Sequence, residues 1–193
     1  MPEETGEEHE KEFCSVLNFA IRSDAADLIV PAAQLARNIN QLCVTRRKEV
    51  PQLPPDGGVC YRGSGLPDVH QAFFSAGKKY RVPGFLATSF ARGVAKKFLY
   101  NTHHGSGLPV VLWRVHLDPR GRDDFDFTCK HVNYVESSHV GGEKEFLFAP
   151  FSAFTVRSVE WRAGDDRDPH VIDVDAAIDN RDEPEDLPLA PWY

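Results

Sequence analysis

Two carboxylates sit one residue apart in the stretch GGEKEFLFAP, residues 141–150: Glu143 and Glu145. The segment KEFLFAP, 144–150, reads as a strand, and residues two apart in a strand project to the same side. The glutamates would then face one way together while Phe146 and Phe148 face the other. Like charges that close repel, so one carboxyl would keep its proton unless cations stand nearby. Two readings compete. One is an exposed Glu-Lys-Glu on a sheet edge, the commoner case for such a triplet taken alone. The other is a site built to meet positive charge.

Two further stretches carry chemistry-bearing side chains. In CYRGSG, 60–65, Arg62 follows a short β-type run and is flanked by Gly63 and Gly65. Arginine offers a rigid fork of donors suited to phosphate, and glycines let a ligand approach the backbone. A turn with a solvated arginine explains the same residues equally well. In PGFLATSF, 83–90, Thr88 and Ser89 stand at the end of a strand that runs into a helix. Hydroxyls there can orient a carboxylate or a ligand. They are also ordinary as a strand threonine and a helix-capping serine. Lys78, Lys79 and Arg81, just upstream, either add positive field at such a site or form a plain basic turn. Asp173 and Asp175 share a strand face in HVIDVD, which suits a cation or, more commonly, solvent. Cys14, Cys43, Cys60 and Cys129 show no zinc spacing, and no metal site is expected.

The elements that must position these residues can be read from period and punctuation. Residues 13–47 have helical spacing with breaks expected at Asp24 and Pro31, and 49–58 is a loop by its Pro and Gly. Strands are expected at 59–63, 80–90, 108–118, 131–137, 144–150, 153–163 and 170–178. Helices are expected at 66–77 and 91–103, the second with Val94, Ala95 and Phe98 on one side. The order predicts an α+β fold.

Composition bounds the rest. A chain of 193 residues with 41% hydrophobic content and 13 Phe can bury one real core. There is no apolar run long enough to span a membrane, and the acidic start is neither a signal nor a transit peptide. The net charge of −7 hides an asymmetry: residues 1–12 hold six acids and one lysine, and residues 164–193 hold ten acids and two arginines. The body, 13–163, has 19 Lys and Arg against 13 Asp and Glu, which suits an anionic ligand. Basic runs such as TRRKE, 45–49, lack interleaved aromatics, so nucleic acid is not an expected partner.

Each motif is weak alone, but their order and spacing are specific. An Arg-Gly strand, an aromatic-x-x-Thr-Ser strand entering a helix, then Glu-x-Glu before an aliphatic-aromatic strand resembles the mono-ADP-ribosyltransferases of the Arg-Ser-Glu class. The likeness extends over about residues 30 to 162, from LARNINQLC, 35–43, to EKEFLFAPFSAFTVRSV, 143–159. It implies a split, twisted β-sandwich of two small sheets with flanking helices and an NAD cleft between the sheets. It assigns Arg62 to the NAD phosphates, Gly63 to the nicotinamide carboxamide through its backbone, and Glu145 to catalysis. It assigns Glu143 to the acceptor, and glutamate at that place goes with arginine acceptors. Thr88 and Ser89 match the second and third places of the family's Ser-Thr-Ser, while the first place is Ala87. Tyr61, Phe85 and Phe98 are set with the dinucleotide.

The expectation is therefore an arginine-directed mono-ADP-ribosyltransferase that uses NAD as substrate. It would be monomeric and cytoplasmic, unless exported by an unusual route, with no membrane or nucleic-acid partner. The chain divides into an acidic N-terminus, 1–12, one catalytic domain, 13–180, and an acidic, proline-rich tail, 181–193. Two alternatives stand beside this one: an NAD glycohydrolase with water as acceptor, and a weakly active or inactive NAD-binding interaction domain, to which Ala87 points.

Overall fold

Aromatic rings from strands far apart in the ladder meet in one core, and that contact defines the architecture. The computed structural model describes residues 13–23, 25–41, 58–117, 132–135, 142 and 144–191. Its elements are α1 (Phe13–Ser23), α2 (Ala26–Asn40), β1 (Val59–Gly65), a 3-10 helix (Asp68–Phe73), β2 (Lys79–Val82), β3 (Leu86–Ser89) and α3 (Arg92–Ser106). They continue as β4 (Val110–His116), β5 (Val132–Val135), β6 (Glu145–Phe148), β7 (Ser152–Glu160), β8 (His170–Ala176) and a 3-10 turn (Asn180–Asp182). The strands run in the order β2-β7-β8-β4-β1-β3-β6-β5.

This ladder is nearly divided. Strands β1 and β4 pair along seven residues, and β3 and β6 along four. Between the two groups the pairing of β1 with β3 is the single position Tyr61↔Ser89. The two groups fold their like faces together. Phe148 of β6 meets Phe154 of β7 at 5.2 Å between ring centroids, although four strands separate them in the order. Phe74, Tyr80, Trp113, Phe146 and Phe154 fill the space between the groups and are all but inaccessible. Full burial of each such ring contributes roughly 1.5–3 kcal/mol.

Alternation along the strands sets which side chains join this core. Val111, Trp113 and Val115 of β4 face it, as do Ile172 and Val174 of β8. The opposite face of β1 and β4 carries α3, whose Ala95 and Leu99 seat against Val110 and Leu112. Gly107, left-handed at φ 67°, ends that helix, and its N–H caps the His103 carbonyl. Helices α1 and α2 pack on each other through Leu17, Ala20, Ile21 and Ala32. They are latched to the body at Phe85. Its N–H donates to Asn18 Oδ1 at 2.8 Å, and its ring packs on the helix pair.

Two expectations need correction, while the short helix expected over 66–77 is present as a 3-10 helix at 68–73. The strand expected over 80–90 is two strands, because Pro83 has no N–H to give a ladder and Pro83–Gly84 turns the chain. Pro31 lies inside α2 without ending it, since Ala32, Ala36 and Ile39 pack against the α1 side chains and hold the flanking turns.

The basic run before β3 is not a source of field at a cleft. Arg81 is buried, and its guanidinium donates to the carbonyls of Phe151, Asn180, Glu183 and Pro184 at 2.8–3.1 Å. Lys79 pairs with Glu183, and Lys78 lies over the Phe73 ring. Arg81 thereby holds residues 179–190 along β2. The Arg81 N–H donates to Pro188 O, and the Ala190 N–H donates to Arg81 O. This strap covers an edge that would otherwise offer unpaired backbone groups. Replacing Arg81 by Lys keeps the charge but leaves most of these carbonyls unsatisfied. Chemical denaturation is expected to show a loss of about 2–4 kcal/mol. A loss under 0.5 kcal/mol would mean the strap holds itself.

Candidate active site

Past the single pair Tyr61↔Ser89, strands β1 and β3 part, and a cavity of about 300 Å³ opens at the seam. One lip is the run Tyr61–Gly65 of β1, and the other is Ala87, Thr88 and Ser89 of β3. Val94, Ala95, Phe98 and Thr102 of α3 roof it, and Glu145 stands at its end. Three sequence motifs far apart in the chain thus meet around one space.

The close approach of α3 depends on the absence of side chains below it. A Cβ on Gly63 would stand 2.2 Å from the Ala95 carbonyl oxygen and 2.9 Å from Leu99 Cγ. One on Gly65 would press on Thr102 Cγ2 and Leu108 Cδ1, each at 3.2 Å. These glycines set the height of the roof as well as leaving backbone open to a ligand.

Arg62 spans the seam, with its Nη1 donating to the Ala87 carbonyl at 2.9 Å. The guanidinium is therefore fixed across the gap where a regular ladder would have placed a backbone pair. Thr88 is spent on structure: its hydroxyl donates to the Phe146 carbonyl at 2.6 Å and ties β3 to β6. Ser89 Oγ accepts from the Ala91 N–H at 2.9 Å, bracing the entry to α3. Ser89 is also the cross-strand partner of Glu145. Directly paired residues share a sheet face, so the serine and the glutamate are neighbours on the cavity side.

Of the two glutamates expected to share a strand face, Glu145 is the one the structure describes. Strand β6 begins at Glu145, and Lys144 before it has φ 44°, in the left-handed region that a lysine rarely adopts. Phe90 N–H donates to the Lys144 carbonyl at 3.1 Å and pins this turn to the corner between β3 and α3. Glu143 lies outside the described residues. Phe85 does not line the cavity; its ring packs on α1 and α2. Tyr61 and Phe98 both line it, the latter with its ring half exposed.

One polar group was missed as a unit. Registers Ser89↔Glu145, Tyr61↔Ser89, Tyr61↔Arg114 and Arg114↔Asp173 form a continuous row on one face of the ladder. At its far end the buried Asp173 accepts hydrogen bonds from Arg114 and from His116 Nε2, and Ser158 adds a third. Burial pushes the Asp173 carboxyl up, but the hydrogen bonds from Arg114 and His116 outweigh it and hold it below the usual carboxylate range. Asp175 pairs with Arg157, so the two aspartates are met by the protein's own cations. Sequence alternation placed these carboxylates on one face, but only the parallel pairing of β4 with β8 brings Arg114 opposite Asp173. Among the described residues no group of three or more His, Cys, Asp or Glu is arranged to hold a metal ion, and no helix is long and apolar enough to cross a membrane.

No protein-family model matches this chain, and no curated protein matches it in sequence. Solved structures do match it. The Vis ADP-ribosyltransferase of Vibrio splendidus, in complex with agmatine, aligns with a TM-score of 0.60 at 22% identity over 84% of this chain and 67% of its own. HopU1, an ADP-ribosyltransferase of Pseudomonas syringae pv. tomato, aligns at 0.55 with 16% identity over 83% of this chain and 63% of its own. Exoenzyme S of Pseudomonas aeruginosa, in a complex with human 14-3-3 protein beta and carba-NAD, aligns at 0.53 with 18% identity over 84% and 66%. The chain thus spans about two thirds of the length of these proteins. The likeness is in fold: this chain has the α+β architecture of ADP-ribosyltransferases, as the sequence implied.

Two predictions test this geometry. Gly63→Ala forces α3 off β1, and overpacking of that kind is expected to cost about 2–3 kcal/mol in unfolding free energy; an unchanged denaturation midpoint would show that the roof is not set by the glycine. His170, buried behind the Trp161 ring, has its pKa lowered from 6.5, chiefly by desolvation. Its folded state resists protonation, so its contribution is intact above pH 6.5 and is lost as pH falls below that value toward the folded pKa. Thermal melts should therefore drop as pH falls below 6.5 in the wild type, and the part of the drop due to this ring should vanish in His170→Gln.

Proposed function

We propose that this protein transfers ADP-ribose from NAD to an arginine side chain of an acceptor protein and releases nicotinamide. The observation that carries the reading is the meeting of Arg62, Ser89 and Glu145 around one cavity at the seam of this fold. Agmatine, a guanidino compound, is bound in the Vis structure, and carba-NAD in that of exoenzyme S. Both ligands suit the same assignment of residues here.

The chemistry asks little of an acid. The bond between nicotinamide nitrogen and ribose carbon breaks with its electron pair on the departing nicotinamide, a good leaving group as it stands. Positive charge grows on the ribose as an oxocarbenium. A fixed carboxylate beside the ribose stabilises that charge, and Glu145 has this role. Arg62, whose direction is set by Ala87, pairs with the diphosphate and holds the dinucleotide in one pose. The backbone of Gly63 takes the carboxamide, and Tyr61 and Phe98 give the dinucleotide its apolar contacts. With Thr88 committed to the Phe146 carbonyl and Ala87 lacking a hydroxyl, the orientation of Glu145 falls to Ser89.

The acceptor guanidinium carries a proton up to a pKa above about 12, so it must lose one to attack. Glu143 receives that proton as the guanidine nitrogen bonds to the ribose carbon. In this reading each carboxylate meets a cation of its own, the oxocarbenium or the acceptor, and their mutual repulsion is offset.

The test compares nicotinamide release and agmatine modification in the wild type and three variants. Glu145→Gln is expected to lower both products by about 10²–10³-fold, the scale of losing one transition-state electrostatic contact. Glu143→Gln should keep nicotinamide release and lose the transfer. Ser89→Ala should lower kcat with little change in KM for NAD. Nicotinamide without modified agmatine would instead assign a glycohydrolase. NAD binding without turnover would assign an interaction domain.

A further inference from the structure

Helix α3 has two faces with different chemistry. One stripe, Val94, Phe98 and Thr102, spaced i, i+4, i+8, lines the cavity. The exposed circumference carries Arg92, Lys96, Lys97 and Tyr100. Arg92 and Lys96 stand two residues from Val94 and Phe98, about 200° around the helix. They therefore point away from the cavity and from a dinucleotide seated in it.

These cations are placed against the stability of their own helix. No acid occurs in RGVAKKFLYNTHHGS, so Lys96 and Lys97 have no partner three or four residues away. Arg92 sits in the first turn, where the helix dipole repels positive charge, and the N-cap Ala91 has no side-chain acceptor. None of the three forms an ion pair with a described residue. Beside them Tyr100 is 55% exposed. Exposed tyrosine and arginine are residue types that anchor protein interfaces, and the two lysines add positive field that steers an acidic partner.

We propose that the outward face of α3 docks an acidic surface of the acceptor protein. The inference rests on the transferase reading and deepens it. The helix that roofs the cavity would hold the partner beside Glu145, and the partner's carboxylates would supply the counter-charges that α3 lacks. A small acceptor such as agmatine needs none of this, and that difference separates docking from catalysis.

The full chain and its triple variant Arg92→Glu/Lys96→Glu/Lys97→Glu are compared on agmatine and on two arginine peptides, one flanked by aspartates and one by serines. Wild type is expected to favour the aspartate-flanked peptide by about tenfold in kcat/KM at low salt, and to lose that preference as ions screen it. The triple variant should modify agmatine within about twofold of wild type, show no acidic preference, and melt no lower, since glutamate suits the first turn. Fluorescence anisotropy with the labelled aspartate-flanked peptide reads the same docking without turnover, so an inactive protein would overturn the transferase reading while still deciding whether α3 binds acid. An acidic preference or binding that survives in the variant overturns the proposal. So does a raised KM for NAD with agmatine, which would make the cations a guide for the dinucleotide. Tighter, charge-dependent binding of a single-stranded oligonucleotide, with no discrimination between peptides, would name nucleic acid as the partner instead.

Discussion

The arrangement depends on one contact without a side chain: the backbone of α3 lying on Gly63. A Cβ at that position would be 2.2 Å from a carbonyl oxygen, so helix and strand reach this distance only because residue 63 has none. From it follow the height of the roof, the placing of Val94 and Phe98 over the seam, and the seating of Leu99 against Val110 and Leu112. The same helix fixes the corner at Ser89 and Phe90. Phe90 in turn holds the carbonyl of Lys144, one residue before Glu145. A packing constraint on one residue of β1 thus passes through α3 to the carboxylate across the cavity.

The seam has its own logic. A continuous ladder would have filled the gap between β1 and β3 with backbone hydrogen bonds and left no cleft. Here the pairing stops after one position, and side chains take over the work of holding the two strand groups together. Arg62 bridges to Ala87, Thr88 ties β3 to β6, and the ring cluster of Phe146, Phe148 and Phe154 clamps the far side. The hydrophobic burial of these rings is strong and non-directional, so it tolerates the loss of ladder bonds that opens the site.

Much of the cavity's lining was legible. Arg62, Gly63, Thr88, Ser89 and Glu145 carry recognisable types in a fixed order, and all line the cavity. Tyr61 and Phe98 do as well. What misled was local. Lys144, at the entry to β6, is left-handed, which no residue type around it announces. Phe85 sits beside the motif in sequence, yet the turn at Pro83–Gly84 aims its ring at the helix pair. Arg81, open in sequence between positive field at a cleft and a plain basic turn, is a buried cap on four carbonyls from segments 70 to 103 residues away. Thr88 has the right type and the right place, but its hydroxyl is taken by the neighbouring strand.

By itself the sequence determined the class of fold, most of the strands, the helix over the site and the residue types that gather there. Those follow from hydrophobic period, from glycine and proline punctuation, and from side-chain chemistry, all of which are local. Tertiary structure alone decided which residues face one another. The parting of β1 from β3, the row from Glu145 through Tyr61 and Arg114 to Asp173, and the division of α3 into a cavity stripe and a cationic face arise from long-range pairing and packing. No nearest-neighbour rule encodes these, because their energy depends on surfaces that meet only when distant segments of the chain are brought together.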